Sequence, residues 1–493
     1  MVNSNNPLKR LAGETAVYGM GTIVPRLLNY LLTPFLTRIF TQAEYGIVTE
    51  MYSYVAVLLV ILTYGMETAF FRYSNISDSP KKAYNTSLTS ILGTSVIFLG
   101  LLVWILPYAA GALDYPDHPE YLLFVGLIVV MDAIAAIPFA YLRNQKRALR
   151  FSKIKLFNVL VNIFVVLYFL ALCPYLKKTN PDSALLAVYN PSVSVGYILI
   201  ANVVASGFTL LLLLPELLKV RLSIDVDLWK KLLRYAYPLA IVVLAGMVNE
   251  VGDKLMLKHL LPDEADEMKQ LGEYGANFKL AVLMSIFIQM FRFAAEPFFF
   301  AQAKEKNSGE VYAAVMKYFV IFGLLIFLGV TLFLDIVKYF IDDKFHGGLD
   351  IVAIVLLAKL FQGVFYNLSI WYKLTDKTRF GAYIALMGVG VTLVMNIGLV
   401  PVYGYMGAAW GQFACFFSMM MVSFFLGRKH FKVEYPLAAI GKYVAFALAI
   451  YFVSEILPVE NNVVSFAVNA VLFLIFFGVA FFSEKDKIQK FSA

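Results

Sequence analysis

The sequence predicts an all-α polytopic membrane protein with about fourteen transmembrane helices. Of its 493 residues, 60% are apolar and only 15% are charged, whereas an ordinary soluble protein carries about 25% charged residues. Apolar runs of about 20 residues recur along the chain, each long enough to cross a hydrocarbon core about 30 Å thick. A repeated motif further predicts two pseudo-symmetric six-helix lobes followed by two C-terminal helices.

Charged, proline-containing or glycine-containing breaks separate most of the apolar runs. The first run contains Arg26 and lacks an A-x-A cleavage site, so we interpret it as a helix and not as a cleavable signal peptide. The predicted spans are centred near residues 25, 56, 96, 131, 165, 206, 246, 288, 327, 361, 391, 416, 447 and 473.

The positive charges alternate from loop to loop. Most of the 41 Lys and Arg residues fall in the N-terminus, the even-numbered loops and the C-terminal tail. The positive-inside rule therefore places both termini and the even loops in the cytoplasm. The net charge of +8 is explained by topology and does not indicate nucleic-acid binding. The odd loops hold Arg38, Lys177, Lys178, Lys254, Lys258, Lys269, Lys338 and Lys344.

The triplet Glu-Tyr-Gly occurs at residues 44–46 and again at residues 273–275. Glu67 follows the first copy by the same interval as Glu296 follows the second. Six spans separate the copies, an even number, so both have one orientation, which is typical of a parallel duplication. The predicted domains are an N-lobe (1–218), a C-lobe (219–433), and a C-terminal helix pair with a cytoplasmic tail (434–493).

Two stretches carry a resemblance to a known family. FLTRIFTQAEYGIV (35–48) followed by LTYGMETAFFRYS (62–74) resembles the opening of bacterial polysaccharide and O-antigen flippases of the multidrug/oligosaccharidyl-lipid/polysaccharide superfamily. Residues 376–411 are similar to that family's span 11–12 hairpin. The matching hairpin residues are Asn396, Pro401, Gly404, Gly407, Ala408 and Ala409. These residue types indicate architecture, because Pro and Gly form tight turns and small residues let helices approach closely.

Several cations lie inside predicted spans, where an ionisable residue costs roughly 2.5–3.5 kcal/mol and usually faces a cavity or a partner. The resemblance implies a lipid-linked oligosaccharide substrate with an anionic diphosphate, so these cations are candidates for binding it. The alternative is that they form salt bridges between helices, and Arg292 has Glu296 four residues away on the same face. The candidates are Arg26 and Lys359 near mid-depth, Lys279 in the outer part of span 8, and Arg292 in its inner third.

Transport against a gradient needs an energy source, and the sequence has no GxxxxGK[ST] loop for direct ATP use. Coupling to a proton or a sodium ion is therefore expected. Membrane lipids and polysaccharide assembly enzymes are the other expected partners. No cofactor or metal is predicted, because Cys173 and Cys415 lie in apolar runs and the histidines are scattered. The candidate coupling residues are Asp132, Glu250, Asp253, Glu296 and Glu67.

Two other functions compete with a flippase. A drug exporter of the same superfamily would extrude organic cations, and its cavity should be dominated by carboxylates. An enzyme of glycan assembly would need a sizeable outer loop or an aqueous domain with catalytic groups. Arg26 and Lys359 have no acidic residue at helical spacing in the sequence, which argues against the first function, and the short outer loops argue against the second.

The charge distribution makes a prediction about topology. Cysteines introduced into the 114–120 and 261–268 loops should react with a membrane-impermeant reagent applied to intact cells, since both loops are expected outside. Cysteines in the 143–155 loop should react only after permeabilisation. Labelling of the 143–155 loop in intact cells would contradict the proposed orientation.

Overall fold

The structure of the protein, a computed structural model, describes residues 7–76, 80–262, 266–303, 305, 308–375, 377–456 and 462–492. Within these ranges the chain is built from helices and contains no β-strand. A helix covers each of the fourteen positions predicted as the centre of a span. Because many of these helices are long and apolar enough to cross a membrane, the predicted all-α polytopic membrane fold is confirmed. Residues 263–265 of the predicted outer loop 261–268 lie outside the described residues.

In this described part of the chain, twelve helical segments are long and apolar enough to cross a membrane. Two predicted spans fall outside that group. The first, Pro7–Tyr30, carries several charged residues, and the sixth, Gly196–Leu212, has only 17 residues. The predicted number of fourteen spans is therefore not confirmed, although a helix is present at each position.

The chain divides into two compact units, and the first comprises the described residues up to 259 together with 266–272. Residues 226–259, which the sequence assigned to the second lobe, lie in this unit. Helix α5 continues through a π-helical turn, Tyr168–Leu172, into Cys173–Thr179. The long helices of the unit are α1 (Pro7–Tyr30), α2 (Gln42–Thr63), α3 (Pro80–Ala112), α4 (Pro119–Asn144), α5 (Ala148–Leu167), α6 (Gly196–Leu212) and α7 (Val226–Leu260).

The first Glu-Tyr-Gly copy forms the start of α2. The Glu44 backbone N–H donates to Thr41 Oγ1 (3.2 Å), and the Thr41 N–H donates to Glu44 Oε2 (2.9 Å). This reciprocal pair is a capping box, which satisfies two backbone groups that the helix leaves without partners. The second carboxylate oxygen of Glu44 accepts a hydrogen bond from Ser194 (2.8 Å). The glutamate of the motif therefore fixes where α2 begins.

The glycines at the two motif copies allow a close backbone crossing. A Cβ atom at Gly46 would lie 2.1 Å from the carbonyl oxygen of Met268. A Cβ at Gly272, which directly precedes the second copy, would lie 1.8 Å from the carbonyl oxygen of Gln42. Both distances are far below van der Waals contact, so a side chain at either position would force the backbones apart. Small residues at a helix crossing have this effect in membranes.

A buried ion pair joins α2 and α7 within this unit. Glu50 and Lys258 are only 1% and 4% exposed, and Lys258 Nζ lies 3.5 Å from Glu50 Oε1 and 3.3 Å from Asp114 Oδ2. The hydroxyls of Tyr54 (2.9 Å) and Tyr115 (2.5 Å) donate to the Glu50 carboxylate. Burial, followed by the charge of Glu50, raises the pKa of the Tyr115 phenol. The sequence interpretation placed Lys258 in a loop, but α7 continues to Leu260 and carries it.

The second unit comprises residues 260–262 and the described residues from 273 onward. Within the described ranges, the segment Ile351–Leu374 of this unit has the largest buried fraction among the candidate membrane spans, about two thirds of its most apolar stretch. The long helices are α8 (Val282–Gln302), α9 (Ser308–Thr331), α10 (Ile351–Leu368), α11 (Arg379–Tyr403), α12 (Tyr405–His430), α13 (Leu437–Ile456) and α14 (Asn462–Ser492).

The span 11–12 motif forms a tight helical hairpin, as its residue types predict. Gly404 joins α11 to α12 with φ of +57°, a conformation that L-residues rarely adopt. A Cβ at Gly407 would lie 2.5 Å from the carbonyl oxygen of Leu399, and a Cβ at Gly411 would lie 2.8 Å from Asn396 Nδ2. The architectural interpretation of this motif is therefore confirmed.

A second buried ion pair ties the C-terminal helices to α9. Lys317 on α9 pairs with Glu484 on α14, and the side chains are only 10% and 4% exposed. The Tyr443 hydroxyl on α13 donates to the other oxygen of the Glu484 carboxylate (3.1 Å). Helices α13 and α14 are thus held to the second unit by a charged contact inside apolar surroundings.

The Glu50–Lys258 pair makes a prediction about stability. We expect Lys258→Met to lower the free energy of unfolding by about 3–5 kcal/mol, because it leaves a buried carboxylate without its cation. The double variant Glu50→Leu with Lys258→Met should recover most of this loss. Thermal unfolding of the purified protein in detergent measures both.

Lys338→Met is the matched control, since the Lys338 and Asp335 side chains are 27% and 71% exposed and solvent-accessible pairs contribute about 0.2–1 kcal/mol. A Lys258→Met loss no larger than that of the control would show that the buried pair does not stabilise the fold.

Candidate functional site

The first unit holds five of the candidate residues, which are Arg26, Glu67, Asp132, Glu250 and Asp253. Arg26 on α1 has an exposed side chain. Asp132 on α4 accepts a hydrogen bond from Ser206 on α6 (2.7 Å), and the positive charge of Lys155 on α5 acts on it. Lys155 itself lies 4.3 Å from the centre of the Phe139 ring. Asp132 is therefore a carboxylate inside the membrane that already has a hydroxyl donor and a cation near it.

Glu67 forms an ion pair in the same unit. Its carboxylate contacts the guanidinium of Arg143 at the end of α4, and the side chains are 39% and 35% exposed. The Arg143 guanidinium lies over the Phe71 ring, 4.9 Å from its centre. The pair is thus only half buried, and the Arg143 guanidinium also makes a cation–π contact with Phe71.

Glu250, Asp253 and Lys254 lie together on α7. The Asp253 carboxylate is 2% exposed and accepts from the Lys254 backbone N–H (2.9 Å) and ammonium (3.4 Å). The ammonium also contacts the backbone oxygen of Glu250 (3.4 Å). Glu250 itself is half-buried. Asp253 and Lys254 therefore form an ion pair within this cluster.

The second unit encloses Lys359 completely. Its side chain on α10 is 0% exposed, and the ammonium lies 3.5 Å from Gln362 Oε1. The same ammonium lies 5.0 Å from the centre of the Phe278 ring and 5.4 Å from that of Phe416, which is within the range of a cation–π contact. Lys279, by contrast, has an exposed side chain. The two lysines therefore have opposite environments.

Arg292 and Glu296 line a cleft between α8 and the end of α10. The Glu296 carboxylate pairs with Lys373 at 2.7 Å, and Arg292 stacks on the Tyr366 ring with its guanidinium carbon 4.1 Å from the ring centre. The sequence indicated Arg292 as the partner of Glu296, four residues away. In the described residues the tertiary partner Lys373 takes that role. Asn367 lines the same cleft.

The two units repeat one set of contacts, each within itself. Glu67 pairs with Arg143 in the first unit, and Glu296 pairs with Lys373 in the second. Lys373 follows Glu296 by nearly the same interval as Arg143 follows Glu67. Edge-on ring contacts repeat as well, between Phe70 and Tyr84 and between Phe299 and Tyr312. This correspondence agrees with a parallel duplication of the sequence.

The sequence interpretation did not single out Arg143, Lys373 or Asn367. The repeat contained a signal for the first two, because each is a cation at a matching distance after a motif glutamate. Within the described ranges, no three His, Cys, Asp or Glu residues are grouped so that they could hold a metal ion. Cys173 and Cys415 are buried thiols.

Comparison with known proteins identifies relatives of the chain. A family model for polysaccharide biosynthesis proteins matches residues 11–303. A protein of the Lsg locus of Haemophilus influenzae is 23% identical over 302 residues, which are 60% of this chain and 67% of that protein. The family model alone covers more than half of the sequence.

Two groups of solved structures share the fold. The lipid II flippase MurJ in an inward closed conformation aligns over 96% of this chain and 100% of its own, with a TM-score of 0.71 and 14% identity. An inward-facing multidrug resistance MATE family transporter of the MOP superfamily aligns over 87% and 99%, with a TM-score of 0.64 and 14% identity. The chain therefore belongs to the polysaccharide biosynthesis protein family and has the fold of MOP-superfamily exporters, as its two motifs predicted.

Proposed function

We propose that the protein translocates polyprenyl-diphosphate-linked oligosaccharides across the bacterial inner membrane for surface polysaccharide biosynthesis. The observation that carries this proposal is the family match over residues 11–303 on a chain whose fold resembles a lipid II flippase along nearly its whole length. Both termini are proposed to be cytoplasmic, as the distribution of Lys and Arg indicates. Polysaccharide assembly enzymes are the proposed protein partners.

Cations that the sequence places at membrane depth support binding of an anionic head group. A diphosphate is too polar to cross lipid unaided, and positive side chains at membrane depth stabilise it electrostatically. Arg26, Lys279 and Arg292 have exposed side chains and are proposed to contact the head group directly. Lys359 is enclosed. It is proposed to contact the head group only in a state in which the surrounding helices have moved apart.

Alternating access is proposed to be driven by a proton or a sodium ion. The candidate sites are the membrane carboxylates Glu67, Asp132, Glu250, Asp253 and Glu296. Asp132 is the strongest of them, because a hydroxyl and a cation already surround its carboxylate. Protonation or ion binding there would change its attraction to Lys155, which lies on a different helix.

Export of organic cations is the alternative, and the shared fold of MATE transporters favours it. The charge arrangement argues against it. Cation export needs carboxylates available to the cargo, whereas Asp253 is 2% exposed and is paired with Lys254. Arg26 and Lys279 would also repel a cationic cargo.

Arg26 provides a test of the transport role. We expect Arg26→Ala to reduce surface-glycan export by roughly tenfold or more at normal protein abundance, since a hydrogen bond to a charged group contributes about 1.5–3 kcal/mol. Arg26→Lys should restore part of the export. Glycan export is measured in a deletion strain beside immunoblotting of membranes. Full export by Arg26→Ala would remove this residue from the mechanism.

Lys359 needs a different substitution because it is fully buried. Lys359→Met retains the apolar stem and removes the charge, so we expect thermal stability to be unchanged or raised and export to be lost. Lys359→Arg should retain some export. A fall in stability for Lys359→Met would instead identify the lysine as a structural contact.

A further inference from the structure

The cleft between α8 and the end of α10 combines features of an anion site. It lies within the second unit and is open to solvent. Two cations and one carboxylate line it together with neutral polar groups, so the net charge of its lining is positive. The residues that matter here are Arg292, Glu296, Tyr366, Asn367, Ser369 and Lys373.

Asn367 gives the clearest indication of a ligand. Its side chain is 2% exposed, and its amide Nδ2 is buried with no hydrogen-bond partner in the described part of the protein. A buried donor without an acceptor costs about 1–3 kcal/mol, and the residue lines the cleft. An acceptor atom supplied by a ligand would remove this cost. An amide donor selects oxygen acceptors.

Arg292 lines the same cleft. Its guanidinium carbon lies 4.1 Å from the centre of the Tyr366 ring, which is within the range of a cation–π contact. The N–H groups of a guanidinium form a planar fork that matches phosphate oxygens. Tyr366 is itself anchored, because its backbone oxygen accepts from the Ser369 hydroxyl (2.6 Å).

Lys373 is the second cation, and its ammonium is paired with the Glu296 carboxylate. The ammonium and carboxylate lie 2.7 Å apart, with the side chains 31% and 46% exposed. Pairs with this degree of exposure contribute only about 0.2–1 kcal/mol. A stronger anion can therefore displace the carboxylate from Lys373 at small cost.

We propose that this cleft binds a phosphoryl oxyanion through Arg292, Asn367 and Lys373, and that Glu296 occupies Lys373 when the oxyanion is absent. The proposal rests on the proposed function for the source of the ligand, the diphosphate of a lipid-linked glycan. A diphosphate carries an ionised oxygen on each phosphoryl group and outcompetes one carboxylate for the ammonium. The Glu296 carboxylate pairs with Lys373 again as the ligand leaves. This competition keeps the affinity of the cleft for the ligand low enough for release.

Binding of inorganic pyrophosphate to the purified full-length protein tests the proposal. We expect Lys373→Gln to raise the Kd at least tenfold. Glu296→Gln should lower the Kd about three- to tenfold, because the competing carboxylate is gone. Asp335→Asn, which breaks the Lys338–Asp335 pair outside the cleft, is the matched control and should leave the Kd unchanged. An unchanged or weaker Kd for Glu296→Gln would overturn the proposal.

Asn367→Leu separates a binding role from a structural one. Replacing an amide that has an unsatisfied donor with an apolar side chain of similar volume should leave the thermal unfolding midpoint unchanged or raise it. The Kd for pyrophosphate should rise at least fivefold. A lower midpoint with an unchanged Kd would assign Asn367 a structural role and overturn the site.

Membrane phospholipids are the other source of phosphoryl oxygens. Pyrophosphate binding is therefore measured in nanodiscs of phosphatidylcholine with and without phosphatidylglycerol. Equal Kd values support the diphosphate as ligand, whereas a tenfold weaker Kd with phosphatidylglycerol would overturn that assignment in favour of a lipid head group. Normal glycan export by a strain from which the gene is deleted would refute the proposed function but not the binding of an oxyanion in the cleft. Wild-type pyrophosphate affinity in both Lys373→Gln and Asn367→Leu would refute the cleft alone.

Discussion

The cost of placing charge in hydrocarbon is the constraint on which this structure depends. Lipid offers no water to solvate an ammonium or a carboxylate, so each such group must find a partner, an aromatic face or a wet cavity. Glu50 with Lys258, and Lys317 with Glu484, are almost completely buried and meet the requirement by pairing. Lys359 contacts aromatic rings and an amide oxygen instead. The burial of these groups fixes which helices lie side by side in each unit.

Hydropathy made the positions of the helices predictable, because crossing lipid requires long apolar segments whatever their neighbours are. Partners of charged residues were much less predictable. The sequence analysis assigned Lys258 to a loop, but α7 continues beyond its apolar centre and includes this residue. Its partner Glu50 is remote in sequence, and hydropathy contains no information about that contact. The pairing of Glu296 shows the same limit, because helical spacing favoured Arg292 whereas the folded unit brings Lys373 closer.

The repeated motif was informative at two levels. Its glutamate caps α2 and its glycine permits a close crossing, which explains the residue types by local backbone geometry. Beyond the motif, each unit has a glutamate paired with a cation near the end of a later helix. The repeat contained a signal for Arg143 and Lys373, because each follows its glutamate by nearly the same interval. No local pattern distinguishes either cation from the others in a basic loop.

The exposure of the ion pairs separates those that hold the fold from those that can exchange partners. Breaking a fully buried pair leaves an unsolvated charge and costs several kcal/mol, so Glu50–Lys258 and Lys317–Glu484 suit a permanent contact. The Glu67–Arg143 and Glu296–Lys373 side chains are 31–46% exposed, and water can replace a lost partner at little cost. A transporter must bind its cargo and then release it. Half-exposed pairs provide cations that are already neutralised yet still available to an anion, which a buried pair cannot do.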